Sequence, residues 1–252
     1  IGDDAFSYSG LCSISLPEGL TTIGSRTFEG CSSLASITIP ASVTLFGADV
    51  FFQCGDLTIN GNKEAEYLYR VLEDGTVELD KYNGSEENVV VPAQVNGKNV
   101  TSIGGSVFFE HGNLASVTLP DSLTKIGSSA FYECQRLTEI TIPAGVTEIG
   151  TGAFMNCDNL KSISLPEGLK KLEDRLFSSS GISEIVIPES VECIGSSVFY
   201  NCFLDSLRIP ANVTSIMHDA FSGCSLGAVD VAPENSRYVS EDGCLYDKKK
   251  TK

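Results

Sequence analysis

The chain has 252 residues, with 17 Lys and Arg against 33 Asp and Glu, for a formal charge of −16. A field of that sign repels phosphate, which argues against nucleic acid and anionic membrane surfaces as partners, and no apolar run approaches the roughly 18 residues of a bilayer span, so no membrane insertion by this segment is expected. At 42% apolar with 13 Phe the chain can bury a core in water, while two His, no Trp and no clustered Cys/His pairs leave few groups for acid–base or metal chemistry.

Pro residues at 17, 40, 92, 120, 143, 166, 188, 210 and 233 set a period, with successive spacings of 23, 52, 28, 23, 23, 22, 22 and 23. Aligned on Pro, each unit reads LxxIxIPxx[VL]TxIGxxxF, as in Leu137, Ile140, Ile142, Pro143, Val146, Thr147, Ile149, Gly150 and Phe154. Leu160, Ile163, Leu165, Pro166, Leu169, Leu172 and Phe177 repeat it. Apolar and polar residues alternate ahead of each Pro, the period of a strand with one buried face. Pro then ends the strand, because it cannot donate to a following ladder. Strands are predicted at 14–16, 37–39, 57–59, 89–91, 117–119, 140–142, 163–165, 185–187, 207–209 and 229–231. A coil of about 23 residues cannot bury its apolar stripe alone, so neighbours must stack around a shared core as a solenoid.

The chain opens in mid-repeat, since Ile1-Gly2 through Phe6 matches Ile23-Gly24 through Phe28, and a longer protein is expected to surround it. Residues 1–59 read as the end of a first repeat array. Residues 60–87 depart from the pattern, and within them Tyr67 to Leu72 and Thr76 to Leu79 flank Asp74-Gly75, which predicts an inserted β-hairpin. The next coil carries five extra residues around Asn96-Gly97-Lys98, because Pro92 and Pro120 are 28 apart. A second array occupies 88–232. In 233–252, Glu241-Asp242-Gly243 between Tyr238-Val239 and Leu245-Tyr246 predicts the start of another hairpin, truncated by the chain end.

The LxxIxIPxxVTxIGxxAFxxC pattern, which covers nearly the whole chain, resembles the BspA-like subfamily of leucine-rich repeats. YRVLEDGTVELDKYNGSEENVVVPAQVNGKNVTSIG resembles the unit that opens repeat arrays in that family, and NSRYVSEDGCLYDKKKTK one found within or after them. The resemblance implies an α/β leucine-rich repeat solenoid, a right-handed horseshoe-like superhelix that is predominantly β, with two parallel strand stacks and little helix. It also implies an extracellular or cell-surface bacterial protein, in a family that includes adhesins for host matrix proteins or other cells.

Six of the nine Cys, at 31, 54, 134, 157, 202 and 224, follow the repeat Phe by three residues and so form a column in a solenoid. An odd count without CxxC gives neither a zinc site nor a redox dithiol, and the expectation is small buried free thiols. His111 and Ser180 take the same slot in other coils, while the state of Cys12, Cys193 and Cys244, off the column, is left open. The recurring Gly24, Gly47, Gly104, Gly127, Gly150 and Gly195 point either to positive φ or to close packing between coils. Glu173 and Met217 occupy the equivalent position, which favours packing.

Between the buried strand residues, the outward pairs are Ser13/Ser15, Ser36/Thr38, Ser116/Thr118, Glu139/Thr141, Ser162/Ser164, Glu184/Val186, Ser206/Arg208 and Ala228/Asp230. Most are small hydroxyls that suit a solvated sheet, whereas binding hot spots favour Trp, Tyr and Arg. Glu139, Thr141, Glu184, Val186 and Arg208 form the candidate binding patch, with Tyr67, Tyr69 and Tyr82 of the insert as further exposed candidates. His111 and His218 have no nucleophile and carboxylate at a known spacing, and GxxxxGK[ST] and GxGxxG are absent, so no catalysis and no cofactor are expected. Glu73-Asp74, Glu86-Glu87 and Glu241-Asp242 read as solvated turns rather than calcium loops. The sequons Asn83-Gly-Ser, Asn99-Val-Thr and Asn212-Val-Thr matter only in a eukaryotic secretory setting. The expected role is a non-catalytic extracellular or cell-surface binding or adhesion module for a protein or surface glycan; the alternative is a structural spacer or stalk that presents another domain.

Overall fold

A computed structural model of the chain describes residues 1–249 apart from 44, 48–49, 52, 55–56, 62–66 and 96, and only the backbone of 58–61 and 68. The apolar–polar alternation does make strands, at Ser36–Ile39, Asn88–Val90, Ser116–Thr118, Glu139–Ile140, Ser162–Ser164, Glu184–Val186, Leu207–Ile209 and Val229–Val231 ahead of a Pro, and at Thr58–Gly61 in a coil without one. Ser15 joins Thr38 through a single parallel bridge. Repeat-equivalent residues face each other in parallel register: Val117 with Ile140, Ile163 with Ile185, Leu207 with Val229. The carbonyls of Pro17, Pro40, Pro120, Pro143, Pro166, Pro188 and Pro210 each accept from the N–H three residues on, as Pro143 does from Val146 at 3.0 Å and Pro120 from Leu123 at 3.0 Å, so a tight turn follows each of these prolines.

Past the turn comes a second stack of two-residue strands. Thr22–Ile23 pairs with Leu45–Phe46, Lys125–Ile126 with Glu148–Ile149, and Cys193–Ile194 with both Lys171–Leu172 and Ser215–Ile216. The fold is a β-solenoid of about eight turns, with no helix among the described residues. The helical part of an α/β label is therefore not what closes the coils. Its place is taken by a turn segment with left-handed residues four apart, such as Ser129 and Glu133 at φ 54° and 58°, or Ser197 and Asn201 at 56° and 55°. These break any helix, and they aim alternate N–H groups at the following coil. Ser129, Phe131 and Glu133 donate to the carbonyls of Thr151, Ala153 and Met155 at 2.9, 2.9 and 3.0 Å. Backbone groups that a helix would satisfy internally are satisfied here between coils.

The chain forms two compact units, Ile1–Gly84 with Gln94–Val100, and Ser85–Ala93 with Thr101–Lys252. In the first, Phe6, Phe28 and Phe51 stack in line with centroids 5.4 Å apart at each step. Its hairpin pairs Tyr67–Val71 with Val77–Tyr82 around Gly75 at φ 82°, where Asp74 accepts from the Thr76 N–H and hydroxyl. The start of the insert at 62–66 and Asn96 of the lengthened coil lie outside the described residues; on either side of the latter, Gln94 pairs antiparallel with Asn99 and Val95 with Lys98. In the second unit Phe108, Phe131, Phe154, Phe177, Phe199 and Phe221 form one file, at 5.1, 5.3, 5.9, 5.9 and 5.7 Å. Near its end, Tyr238–Glu241 and Cys244–Asp247 form a hairpin on Asp242-Gly243, both at positive φ. The tail thus holds both strands of its hairpin rather than only the start of one.

Beside the Phe file runs the thiol column. Cys31, Cys54, Cys134, Cys157 and Cys202 are buried free thiols and Cys224 is half-buried. Their burial matches the sequence reading, but they are more than small apolar fillers. Each buried Sγ donates to the carbonyl of the Phe one coil earlier: Cys31 to Phe6 at 3.1 Å, Cys54 to Phe28 at 2.8 Å, Cys134 to Phe108 at 3.1 Å, Cys157 to Phe131 at 3.1 Å and Cys202 to Phe177 at 3.0 Å. Burial pushes the Cys134 thiol up to about 12, Cys202 up to about 11, and Cys157 well above its usual value. We therefore expect iodoacetamide at pH 8 to label exposed Cys12 and Cys244 in the native protein, and the five buried thiols only after unfolding, as counted by mass spectrometry.

The recurring glycines pack rather than turn. None of Gly24, Gly47, Gly127, Gly150 and Gly195 is at positive φ. A Cβ on Gly150 would come within 2.4 Å of the Ser128 N of the previous coil, and one on Gly47 within 2.1 Å of the Ser25 N. Gly150→Ala is expected to lower stability by about 1–3 kcal/mol in denaturant unfolding. Glu173→Ala, at the repeat-equivalent position that already carries a side chain, should leave stability within about 1 kcal/mol.

Candidate binding face

In the second unit the outward strand residues align into two rows because register repeats coil by coil. Asn88, Ser116 and Glu139 pair in sequence, as do Ser162 and Glu184. The adjoining row contains Val90 and Thr118, then Thr141, Ser164 and Val186, with Arg208 opposite Asp230. Neighbouring strands lie about 4.8 Å apart, so Glu139 and Glu184, with Ser162 between them, are about 10 Å apart. Glu184, Val186 and Arg208 come together on consecutive coils. Glu139 and Thr141 lie on the same face, with the Ser162–Ser164 strand between them and that trio.

Val186 is 81% exposed in the middle of a hydroxyl-lined face, and Val90, at the far end of its row, is 70% exposed. Val186 stands between two open depressions. One, of about 440 Å³, is lined by Ser162, Ser164, Glu167, Glu184 and Val186 among others. The other, of about 380 Å³, has Glu167, Val186, Glu189, Ser206 and Arg208 along its walls. Among the described residues, Glu139, Glu167, Glu184 and Arg208 make no side-chain ion pair, whereas Lys125–Glu148 at 3.0 Å and Lys170–Glu192 at 3.2 Å occupy the second strand stack. Glu167 and Glu189 were not among the residues singled out from sequence. Their signal is the acidic residue directly after Pro, as in Pro166-Glu167 and Pro188-Glu189, which places a carboxylate where the strand face turns the corner.

The tyrosines of the insert do not form an exposed patch. Tyr69 is only 4% exposed and Tyr82 only 1%. Tyr67 packs on Tyr82 at 5.0 Å, and Tyr69 meets the edge of Phe46 at 6.1 Å, so aromatic size has been spent on the hairpin core.

The structure does bring one His beside a hydroxyl. His218 Nδ1 lies 3.3 Å from Ser196 Oγ, because the two are 22 residues apart on neighbouring coils. Asp174 Oδ1 accepts from the Ser196 backbone N–H at 2.9 Å rather than from the imidazole, so this carboxylate does not orient the His as a base for the Ser. His111 Nδ1 sits 3.1 Å from the Phe109 carbonyl. Among the described residues no group of three or more His, Cys, Asp or Glu is placed to hold a metal, and no helix is long and apolar enough to cross a membrane.

The model of the BspA type leucine rich repeat region matches residues 1–68 and 97–241, in six copies. Among solved structures, a leucine rich cell surface protein from Faecalibacterium prausnitzii is 31% identical, with a TM-score of 0.60 over 73% of this chain and 57% of that one. The T. pallidum leucine rich repeat protein is 29% identical, with a TM-score of 0.59 over 66% of this chain and 90% of its own. A leucine-rich repeat protein from Eubacterium ventriosum, at 23% identity and a TM-score of 0.60 over 97% of this chain and 72% of that one, shares the fold. This chain thus spans 57% of the length of the F. prausnitzii protein. No curated protein matches it. A 22–23-residue period, parallel strand stacks and a matching family model over most of the chain agree, and the protein belongs to the BspA type leucine-rich repeat family.

Proposed function

We propose that this chain is a non-catalytic binding module displayed at a bacterial surface, with the strand face of its 88–232 repeat array as the contact surface for a protein or a surface glycan. The observation that carries the reading is Val186. A branched apolar side chain, 81% exposed between two depressions, contributes little to a solenoid whose core is already closed by Ile163, Leu165 and Ile187. Glu184 and Arg208 flank it on its own and the next coil, Glu139 and Thr141 lie on the same face beyond the Ser162–Ser164 strand, and none of the three charged groups makes a side-chain ion pair among the described residues. A surface location is supported by the relative from F. prausnitzii, whose name is that of a cell surface protein.

Wild-type protein and a Val186→Asp variant can be compared on a glycan array and on immobilised matrix and bacterial surface proteins. Specific binding that falls at least about tenfold in Val186→Asp, and is unchanged in Thr214→Asp on the second strand stack, is the expected result. Binding that is indifferent to Val186 moves the site elsewhere, and binding to nothing in either panel favours a spacer that holds another part of a longer protein outward.

A further inference from the structure

We propose that the depression at Glu167, Glu184 and Val186 receives a Lys or Arg side chain from an extended cationic segment of a partner protein. The inference rests on the binding-face reading above and names the class of partner. Its first depression carries two carboxylates and no cation, beside an exposed aliphatic side chain. A single kind of natural side chain matches both features. Lys and Arg lay an apolar stem along an aliphatic surface while their charged head reaches for solvent or a carboxylate. A stem resting on Val186 brings the head to Glu184 and Glu167, and neither carboxylate has to give up an existing ion pair.

The second depression fixes what comes next along the partner. Arg208 stands across from Glu189 and Glu167 and makes no ion pair among the described residues. An acidic residue or a chain-terminal carboxylate of the partner would pair with its guanidinium. Glu189 is only partly available, since its Oε2 accepts from the Ala211 N–H at 3.3 Å. The occupant is therefore predominantly basic, with a carboxylate one position along. A neutral glycan is a poorer match, because none of the residues lining either depression is aromatic and so no stacking platform is present. The formal charge of −16 adds long-range attraction for such a partner and makes its capture salt-dependent.

The test uses the full chain as bait for a random dodecapeptide phage library, followed by fluorescence polarisation of the enriched peptides. Enriched peptides should be richer in Lys and Arg than the library. Their affinity should fall about tenfold in E167Q/E184Q and about threefold in V186S. An E73Q/E241Q control, which removes the same charge at the tips of two hairpins, should change it less than about twofold. Equal loss in the control and face variants would reduce the effect to diffuse attraction and overturn the proposal. Enriched peptides that are no more basic than the library, yet still weakened by V186S, overturn the cationic assignment and leave the binding face standing. If no peptide is enriched, or none responds to any face variant, the proposal fails together with the face itself.

Discussion

The carbonyls of Phe6, Phe28, Phe108, Phe131 and Phe177 each accept two hydrogen bonds, one from their own coil and one from the next. Phe131 takes the Cys134 N–H at 3.2 Å and the Cys157 thiol at 3.1 Å; Phe28 takes the Cys31 N–H at 3.2 Å and the Cys54 thiol at 2.8 Å. A buried carbonyl with an unused lone pair is tolerated, but a thiol donor placed there ties the closing turn of one coil to the next. The same turn carries the file of stacked rings and alternate N–H groups aimed at the following coil. Strand pairing, ring stacking and thiol donation all demand that equivalent residues lie over one another. Coils of 22 and 23 residues, and the lengthened one between Pro92 and Pro120, all keep strand register and ring stacking in line, while the outward residues vary freely.

Much of this was legible in the sequence because the period exposes it. Pro spacing located the Pro-terminated strands to within two residues, Asp74-Gly75 and Asp242-Gly243 marked both hairpins, and Glu173 and Met217 in the repeat-Gly slot pointed to close packing of the glycines. The closing turn was not legible. Its left-handed residues include Arg26, Ser129, Glu133 and Arg175, none of which announces positive φ in the way that Gly does. Their conformation is imposed by inter-coil hydrogen bonds, whose worth offsets a local cost of about 1–2 kcal/mol per residue and depends on a neighbour 22 or 23 residues away. For the same reason the thiols read as plain hydrophobes and Tyr69 and Tyr82 read as exposed. A donor's target, or the packing partner of a hairpin face, belongs to the stack and not to the segment.

The candidate face is legible in a different sense. Its residues were named correctly as outward-facing, since alternation alone decides which side chains leave a strand. What alternation cannot reveal is which of them sit beside a depression. Glu184, Val186 and Arg208 are separated from Glu139 and Thr141 by the Ser162–Ser164 strand, and only the first three meet Glu167 and Glu189. Those two acids come from the turn after Pro, outside the strand pattern, and join the face because the chain changes direction at Pro166 and Pro188.

Repetition imposes a further electrostatic rule. Identical residues stack in a solenoid, so a carboxylate kept at one position in every coil would face its own kind about 4.8 Å away, which destabilises the pair. Along the first row the sequence avoids this, with Ser162 between Glu139 and Glu184 and a second Ser, Ser206, in the next coil. Glu167 and Glu189, in contrast, occupy the same position of consecutive coils and share the second depression, with Arg208 as the cation nearby. On the second strand stack, a comparable charge at Glu192 is matched within 3.2 Å by Lys170. This exception lies beside the exposed valine, where neither Glu167 nor Glu184 makes a side-chain ion pair among the described residues.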